Sequence, residues 1–305
     1  ASLIAQQHID ICYFGDSITE GWMDAEKRQE SSFPALTDSL LRMAGHSFTS
    51  VNAGVGGETT EDALHRVDAD ILSRTPRIVV LSFGSNDWFV WGNPPFQRVP
   101  IDLYRRNLSL LFDKIIGSGA QLVLLGLPPV LGQRFYTLFD SSLYSPFGGV
   151  QEGNSRYAAV GRDLAKVRGI PYLDNDWGTA AASLLGFDGV HPLPEGHRRI
   201  ANGLVPLLLP LLASAHPTVP ASSIQLYPVP FQPLQHSRLI ISLGCKKSTD
   251  VELRIFDATG REIRKIVYFA WSHGTHFIPW DGRTGNGTTA AQGAYTVIVR
   301  NGEFT

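Results

Sequence analysis

From residue 8 to residue 213, apolar runs of strand length alternate with stretches whose apolar residues recur at helical spacing. That alternation limits the fold more than any other feature of the chain. Strands are expected at 9–14, 47–52, 77–83, 121–127 and 170–174, and helices at 33–44, 59–73, 101–117, 155–168 and 195–213. Intervals this short leave room for about one helix between successive strands, which predicts a parallel sheet covered by helices on both faces. Sheets of that kind gather their ligands beyond the C-terminal ends of the strands. Two connections at that end are long. Residues 87–100 carry Trp88, Phe89, Trp91 and Phe96, and residues 128–154 carry Phe135, Tyr136, Phe139, Tyr144 and Phe147. Long loops there are usually functional. Their aromatics suit either a private loop core or a substrate pocket, and the sequence leaves both open.

Beyond residue 213 the pattern changes. Residues 214–223 (S-A-H-P-T-V-P-A-S-S) form a small-residue, proline-bearing linker, and β-branched or aromatic runs follow at 239–243, 251–256, 262–268, 276–280 and 295–299. Asp257-Ala258-Thr259-Gly260 is a hairpin turn signal, and 281–287 is a glycine-rich loop. Short strands without a helix predict a β-sandwich. The expected domains are therefore 1–213, a linker at 214–223, and 224–305. A length of 305 residues is comfortable for two domains, and 43% hydrophobic residues can build both cores.

Charge narrows the partners. A formal net charge of −2 gives no electrostatic case for nucleic acid or an anionic membrane. The longest apolar run, 203–215, contains Pro206 and Pro210 and is too short to span a bilayer. Cys12 and Cys245 fall in different expected domains, so neither a disulfide framework nor a cysteine metal site is expected. No secretory signal pattern is visible at the N-terminus.

Four short blocks stand where this architecture places its ligands. Gly15-Asp16-Ser17-Ile18-Thr19 follows the first strand. Alone, it reads equally as a helix cap or a turn. Val55-Gly56-Gly57-Glu58-Thr59 follows the second strand and opens a helix; its glycines permit close backbone approach, and its N–H groups suit a developing negative charge. The spacing is wrong for a dinucleotide loop. Gly84-Ser85-Asn86-Asp87 ends the third strand and presents an amide at the same edge. Asp188-Gly189-Val190-His191 precedes the last helix, and a carboxylate and an imidazole three residues apart in one loop can meet. Together they supply acyl transfer from an ester to water. Ser17 is the nucleophile, His191 its base, and Asp188 fixes the imidazole tautomer. The N–H groups of Ser17 and Gly57, with the Asn86 amide, can hold the oxyanion.

These blocks resemble the SGNH (GDSL-type) hydrolases: G-D-S-I-T, the glycine of V-G-G-E, G-S-N-D and D-G-V-H. Ile18 stands where the name-giving motif has Leu, Glu58 where Asp is usual, and Gly56 where Ser is usual. The resemblance runs from residue 9 to 213. It implies a flavodoxin-like three-layer α/β sandwich with a central parallel sheet and a Ser-His-Asp esterase mechanism with no cofactor and no metal. It assigns function to Ser17, Gly57, Asn86, Asp188 and His191. Residues 224–304 resemble the immunoglobulin-like module of flagellar hook-capping proteins, through Y-P-V-P-F at 227–231, the 251–261 segment, W-D-G-R at 280–283 and G-A-Y at 293–295. Similar modules terminate many exported bacterial enzymes, which implies an extracellular or periplasmic location.

No G-x-S-x-G, P-loop or H-E-x-x-H occurs. His197, inside an opening helix, reads as solvated. Trp22 and Asp87 flank the site and read as structural, and Trp271 and Trp280 read as core. The expected function is hydrolysis of short-chain acyl esters, with carbohydrate O-acetyl esters as the natural class. A lysophospholipase or thioesterase is the enzymatic alternative. A surface- or polysaccharide-binding protein with a decayed hydrolase site is the alternative of another kind. The C-terminal module is expected either to dock on the catalytic domain or to bind a surface or polymer.

Overall fold

The computed structural model describes residues 9–213, 224–227, 239–245, 249–271 and 274–301. The 214–223 linker and the Y-P-V-P-F block beyond Tyr227 lie outside the described residues. The chain forms two compact units, Ala1–Ile116 with Ala120–Ser214, and Gly117–Gly119 with Ala215–Thr305.

The first unit is built on five parallel strands: β1 (Ile11–Gly15), β2 (Ser50–Gly54), β3 (Ile78–Ser82), β4 (Gln121–Leu125) and β5 (Tyr172–Leu173). Their spatial order is β2-β1-β3-β4-β5, the flavodoxin-like arrangement. Side chains alternate across the sheet as the pleat requires. Ile11, Tyr13, Ile78, Val80, Val123 and Leu125 face one core, whereas Cys12, Phe14, Val79, Leu81, Leu122 and Leu124 face the other. Both faces of β1 and β3 are buried, which is why these strands read as continuous apolar runs.

The main helices are α1 (Ser17–Glu20), α2 (Phe33–Met43), α3 (Thr60–Arg66), α4 (Ile101–Gly117), α5 (Val150–Arg168) and α6 (Pro194–Ala213). A Thr59–Asp62 capping box opens α3, and a short π turn at Val67–Ile71 prolongs it. Helix α5 begins five residues earlier than its apolar spacing predicts. Helix α6 runs through Pro206 and Pro210, both on the exposed side, where a carbonyl released by the missing N–H can meet water. Its Ile200, Leu204 and Leu208 pack in the core that α2 also covers. Strand β2 lies two to three residues later than expected. Gly54 at its end is required by packing, because a Cβ there would stand 2.2 Å from the Glu20 backbone nitrogen. The second strand thereby ends directly against α1.

The aromatics of the two long loops divide between a buried loop core and exposed rings. Trp88, Phe135 and Tyr144 are buried together, with Trp88 and Phe135 ring centroids 5.7 Å apart. Trp91 and Phe96 sit opposite each other on a small hairpin and remain exposed, as does Phe139.

Among its described residues, the second unit contains six antiparallel strands in two three-stranded sheets. β6 (Ile224–Tyr227), β7 (Leu239–Cys245) and β10 (Gly274–Trp280) form one sheet; β9 (Glu262–Trp271), β8 (Thr249–Phe256) and β11 (Thr296–Asn301) form the other. Leu239, Ile241 and Leu243 share a core with Val251, Leu253, Ile255, Ile278 and Trp280. Trp280 is thus core, its indole N–H donating to the Arg283 carbonyl at 2.8 Å. The Trp271 side chain lies outside the described residues.

Candidate active site

Ser17 is the first residue of α1, immediately beyond the C-terminal end of β1. The turn that presents it is fixed by Asp16, whose Oδ1 accepts from the Ile18 N–H at 3.0 Å. Burial pushes the Asp16 carboxyl up to about 6, against the pull of that hydrogen bond.

The fourth block folds on itself. Asp188 Oδ1 accepts from the N–H groups of Val190 (2.8 Å) and His191 (3.0 Å), which leaves Oδ2 free to meet the ring. His191 Nδ1 lies 2.5 Å from Asp188 Oδ2, and His191 Nε2 lies 2.9 Å from Ser17 Oγ. Burial raises the Asp188 carboxyl, but the His191 contact and the two backbone N–H groups outweigh it and hold the group below the usual carboxylate range. A carboxylate at Asp188 keeps the proton on Nδ1 and leaves Nε2 as the acceptor facing the serine.

The loop bearing this pair is braced from outside. Gly189 has φ +72°, and a Cβ there would lie 2.5 Å from the Leu131 carbonyl, while Leu131 N–H donates to Gly189 O at 2.8 Å. Arg134 donates to the carbonyls of Ala182, Leu185 and Gly186, and Asp24 Oδ1 accepts from the Phe187 N–H at 3.0 Å. Beside this loop opens a groove of about 540 Å³ lined by Asp24, Arg134, Leu185, Gly186, Phe187 and Leu193.

The second and third blocks meet each other. Asn86 Nδ2 donates to the Glu58 carbonyl at 2.9 Å. Asp87 is fully buried and accepts from Thr60 N–H and Oγ1 at the start of α3, with Asn107 Nδ2 donating to the same hydroxyl at 3.1 Å. Burial pushes the Asp87 carboxyl up to about 7. Gly57 holds φ +79°, a left-handed conformation that favours glycine. Arg66 gathers the strand ends from below, donating to the carbonyls of Gly15 and Ala53 and to Glu58 Oε2.

Ser17, Asp188 and His191 are thus hydrogen-bonded in series, and Asn86 joins the Gly57 loop. Asp87 fills a framework position, and the half-buried Trp22 donates its indole N–H to Glu20 Oε2 at 2.9 Å. His197 departs from its expectation. It is fully buried, its Nδ1 accepts from the Phe33 N–H at 3.1 Å, and its ring stacks on Phe33. Burial pushes it down to about 4. Glu20, Asp24, Arg98 and Arg134 were not singled out from the sequence, and no motif marks them. Among the described residues, no group of three or more His, Cys, Asp or Glu side chains has metal-site geometry, and no helix is long and apolar enough to cross a membrane.

The chain is similar to known proteins. Residues 13–199 match the profile of the GDSL-like Lipase/Acylhydrolase family, and residues 242–302 match that of the FlgD Ig-like domain. An uncharacterized lipoprotein of Bacillus subtilis (strain 168), YqeF, is 28% identical over 220 residues, covering 64% of this chain and 87% of its own. Esterase TesA of Pseudomonas aeruginosa is 29% identical over 180 residues, covering 58% and 78%. Among solved structures, a lipase/acylhydrolase from Enterococcus faecalis superposes with a TM-score of 0.55 at 23% identity, covering 66% of this chain and 95% of its own. An acetylxylan esterase from Geobacillus stearothermophilus superposes at 0.51 and 20%, covering 69% and 97%. At those identities the structures share a fold with this chain. With the family profile spanning most of the α/β unit and all four blocks inside it, the chain belongs to the GDSL-like lipase/acylhydrolase family and is an ester hydrolase.

Proposed function

We propose that the protein is a serine esterase for short-chain acyl esters, with O-acetylated carbohydrate as its natural substrate class. The observation that carries the reading is the position of the His191 ring, 2.9 Å from Ser17 Oγ on one side and 2.5 Å from Asp188 on the other. Ser17 Oγ attacks the acyl carbon as His191 Nε2 takes its proton. The tetrahedral intermediate collapses, and the same proton passes to the leaving alcohol. Water then repeats the sequence on the acyl-enzyme, with His191 again the base and Ser17 the leaving group. Oxyanion charge falls to the N–H groups of Ser17 and Gly57 and to the Asn86 amide.

The alcohol oxygen must come within reach of His191 Nε2, so the alcohol side of the substrate belongs near the loop that carries His191. The groove beside that loop combines a carboxylate, Asp24, with the exposed ring of Phe187, a lining suited to a hydroxylated ring. A second reading, a lysophospholipase or thioesterase, draws on Trp91, Phe96, Leu138 and Phe139, which expose apolar surface on the two long loops. Phe89 links Trp91 to Phe139, with ring centroids 5.6 and 4.9 Å away, and such a surface suits an acyl chain. Relatives named as an esterase and an arylesterase accord with ester hydrolysis in general, and an Escherichia coli relative named thioesterase 1/protease 1/lysophospholipase L1 accords with the second reading.

The catalytic residues fall within 1–213, and we assign 214–223 to a linker and 224–305 to a module that docks on this domain or holds it to a surface or polymer. An exported location accords with the Bacillus subtilis relative's being named a lipoprotein. The test is kinetic. Ser17→Ala and His191→Ala should each lower kcat by roughly 10⁴-fold, and the double variant should lose little more, because triad members act as a unit. Near-wild-type turnover by folded Ser17→Ala removes the mechanism. A substrate panel from p-nitrophenyl acetate to long acyl chains and acetylated xylan separates the two substrate readings.

A further inference from the structure

Glu20 ends the short helix that Ser17 begins, and its carboxylate reaches across to the glycine loop. Oε2 accepts from the Gly56 N–H at 2.7 Å and from the Trp22 indole N–H at 2.9 Å, while Oε1 accepts from Lys27 Nζ at 2.5 Å. Gly56 lies against the nucleophile, since a Cβ built on it would stand 3.8 Å from Ser17 Cβ. On the far side of Gly57, Arg98 Nη1 donates to the Gly57 carbonyl at 2.9 Å. Arg98 belongs to the first long loop, and its guanidinium lies over the Trp91 ring, 5.7 Å from the centroid.

The peptide groups on either side of the Gly56–Gly57 bond are therefore each pinned by a side chain of opposite charge. The bond between them carries the Gly57 N–H. Glycines at 56 and 57 leave this loop unusually free to rotate, because neither has a side chain to restrict it. A donor acts on a transition state only if it is aimed beforehand, and a free glycine pair would lose that aim.

We propose that Glu20 is a positioning residue that, with Arg98 as its counterpart, fixes the Gly57 N–H in its oxyanion-binding orientation and ties it to the helix of the nucleophile. The proposal rests on the serine esterase reading above. The same carboxylate oxygen receives Gly56 and Trp22, so the role requires reach and an acceptor rather than a charge. Glutamine can place its carbonyl oxygen at the Oε2 position and turn its amide toward Lys27, whose side chain is 40% exposed and free to swing away. Aspartate keeps the charge but is one methylene too short.

The experiment compares Glu20→Gln, Glu20→Asp and Glu20→Ala with wild type on p-nitrophenyl acetate, with thermal midpoints and Ser17→Ala measured alongside. Glu20→Ala and Glu20→Asp are expected to lower kcat on the order of 10²-fold, the penalty of a misplaced catalytic group, with KM within about threefold of wild type. Glu20→Gln should stay within about fivefold in kcat, because its amide oxygen still accepts from Gly56. Affinity for a boronic acid, which forms a tetrahedral adduct on serine, should fall in parallel with kcat across the series. The proposal is overturned if Asp retains activity and Gln loses it, since charge would then be what matters. It is equally overturned if the losses lie in KM, or if all three variants match wild type while Ser17→Ala is inactive. Full activity in Ser17→Ala would instead defeat the esterase reading on which the proposal depends.

Discussion

Asn86 already spends one amide hydrogen on the Glu58 carbonyl, which orients the side chain and leaves its second hydrogen for a ligand. Its removal tests the oxyanion assignment one residue at a time. Asn86→Ala is expected to lower kcat on the order of 10²–10³-fold with little change in KM, because the amide acts on charge that develops in the transition state. A loss confined to KM would make Asn86 a ground-state binding residue. The meeting of Ser17, Asp188 and His191, and of Asn86 with the loop of Gly57, was legible because each sits in a contiguous block whose residue types point to one chemistry. Glu20, Arg98 and Arg134 were not, and the reason is physical. Their partners at the site are backbone N–H and C=O groups, at Gly56, Gly57 and the 182–186 segment, and backbone groups carry no residue-type signal. Only the folded chain brings them within reach.

At the scale of elements, the helical stripe of α6 explains why His197 is not solvated. His197, Ala201, Leu204 and Leu208 follow one another at intervals of three or four, with Ile200 beside them on the same face, and all are buried. The same stripe is present in the sequence, so periodicity carried the signal that polarity obscured. The ring must stay neutral, because a proton on Nδ1 would remove the acceptor for the Phe33 N–H at the start of α2. Its folded value of about 4 lies below the ordinary 6.5, so between those values the unfolded chain binds a proton that the folded chain refuses. Stability from this group is complete above pH 6.5 and is lost as pH falls toward 4, by about 3 kcal/mol in all. His197→Gln keeps an acceptor but cannot titrate. Unfolding by urea at pH 7 and pH 4.5, followed by far-ultraviolet circular dichroism, should show a smaller acid loss in the variant, by about 2 kcal/mol of that total. Parallel losses would clear His197 of the effect. The shifted end of β2 and the early start of α5 are of another kind. Their boundaries are set by how Gly54 packs on α1 and by Gly149 at the head of α5, neither of which apolar spacing records.

Over the whole molecule, the strand order decides why four separated blocks become neighbours. With β1 between β2 and β3, the turns after these three strands are adjacent at one sheet edge, which is where the chain reverses its direction of winding. The loop before α6 then brings Asp188 and His191 to the same edge. The α/β class was readable because strand-length runs and helical stripes differ in period, and the all-β character of the C-terminal part was readable for the same reason. Strand β6 was missed; at four residues, Ile224–Tyr227 is too short to show a period. A covalent intermediate at Ser17 is the central step, and its most direct measurement is peptide mapping by mass spectrometry after reaction with an organophosphonate. A single adduct is expected, on the peptide containing Ser17, with loss of esterase activity in proportion to labelling and no adduct in Ser17→Ala. Labelling at another residue, or undiminished ester hydrolysis by a fully labelled protein, would contradict it.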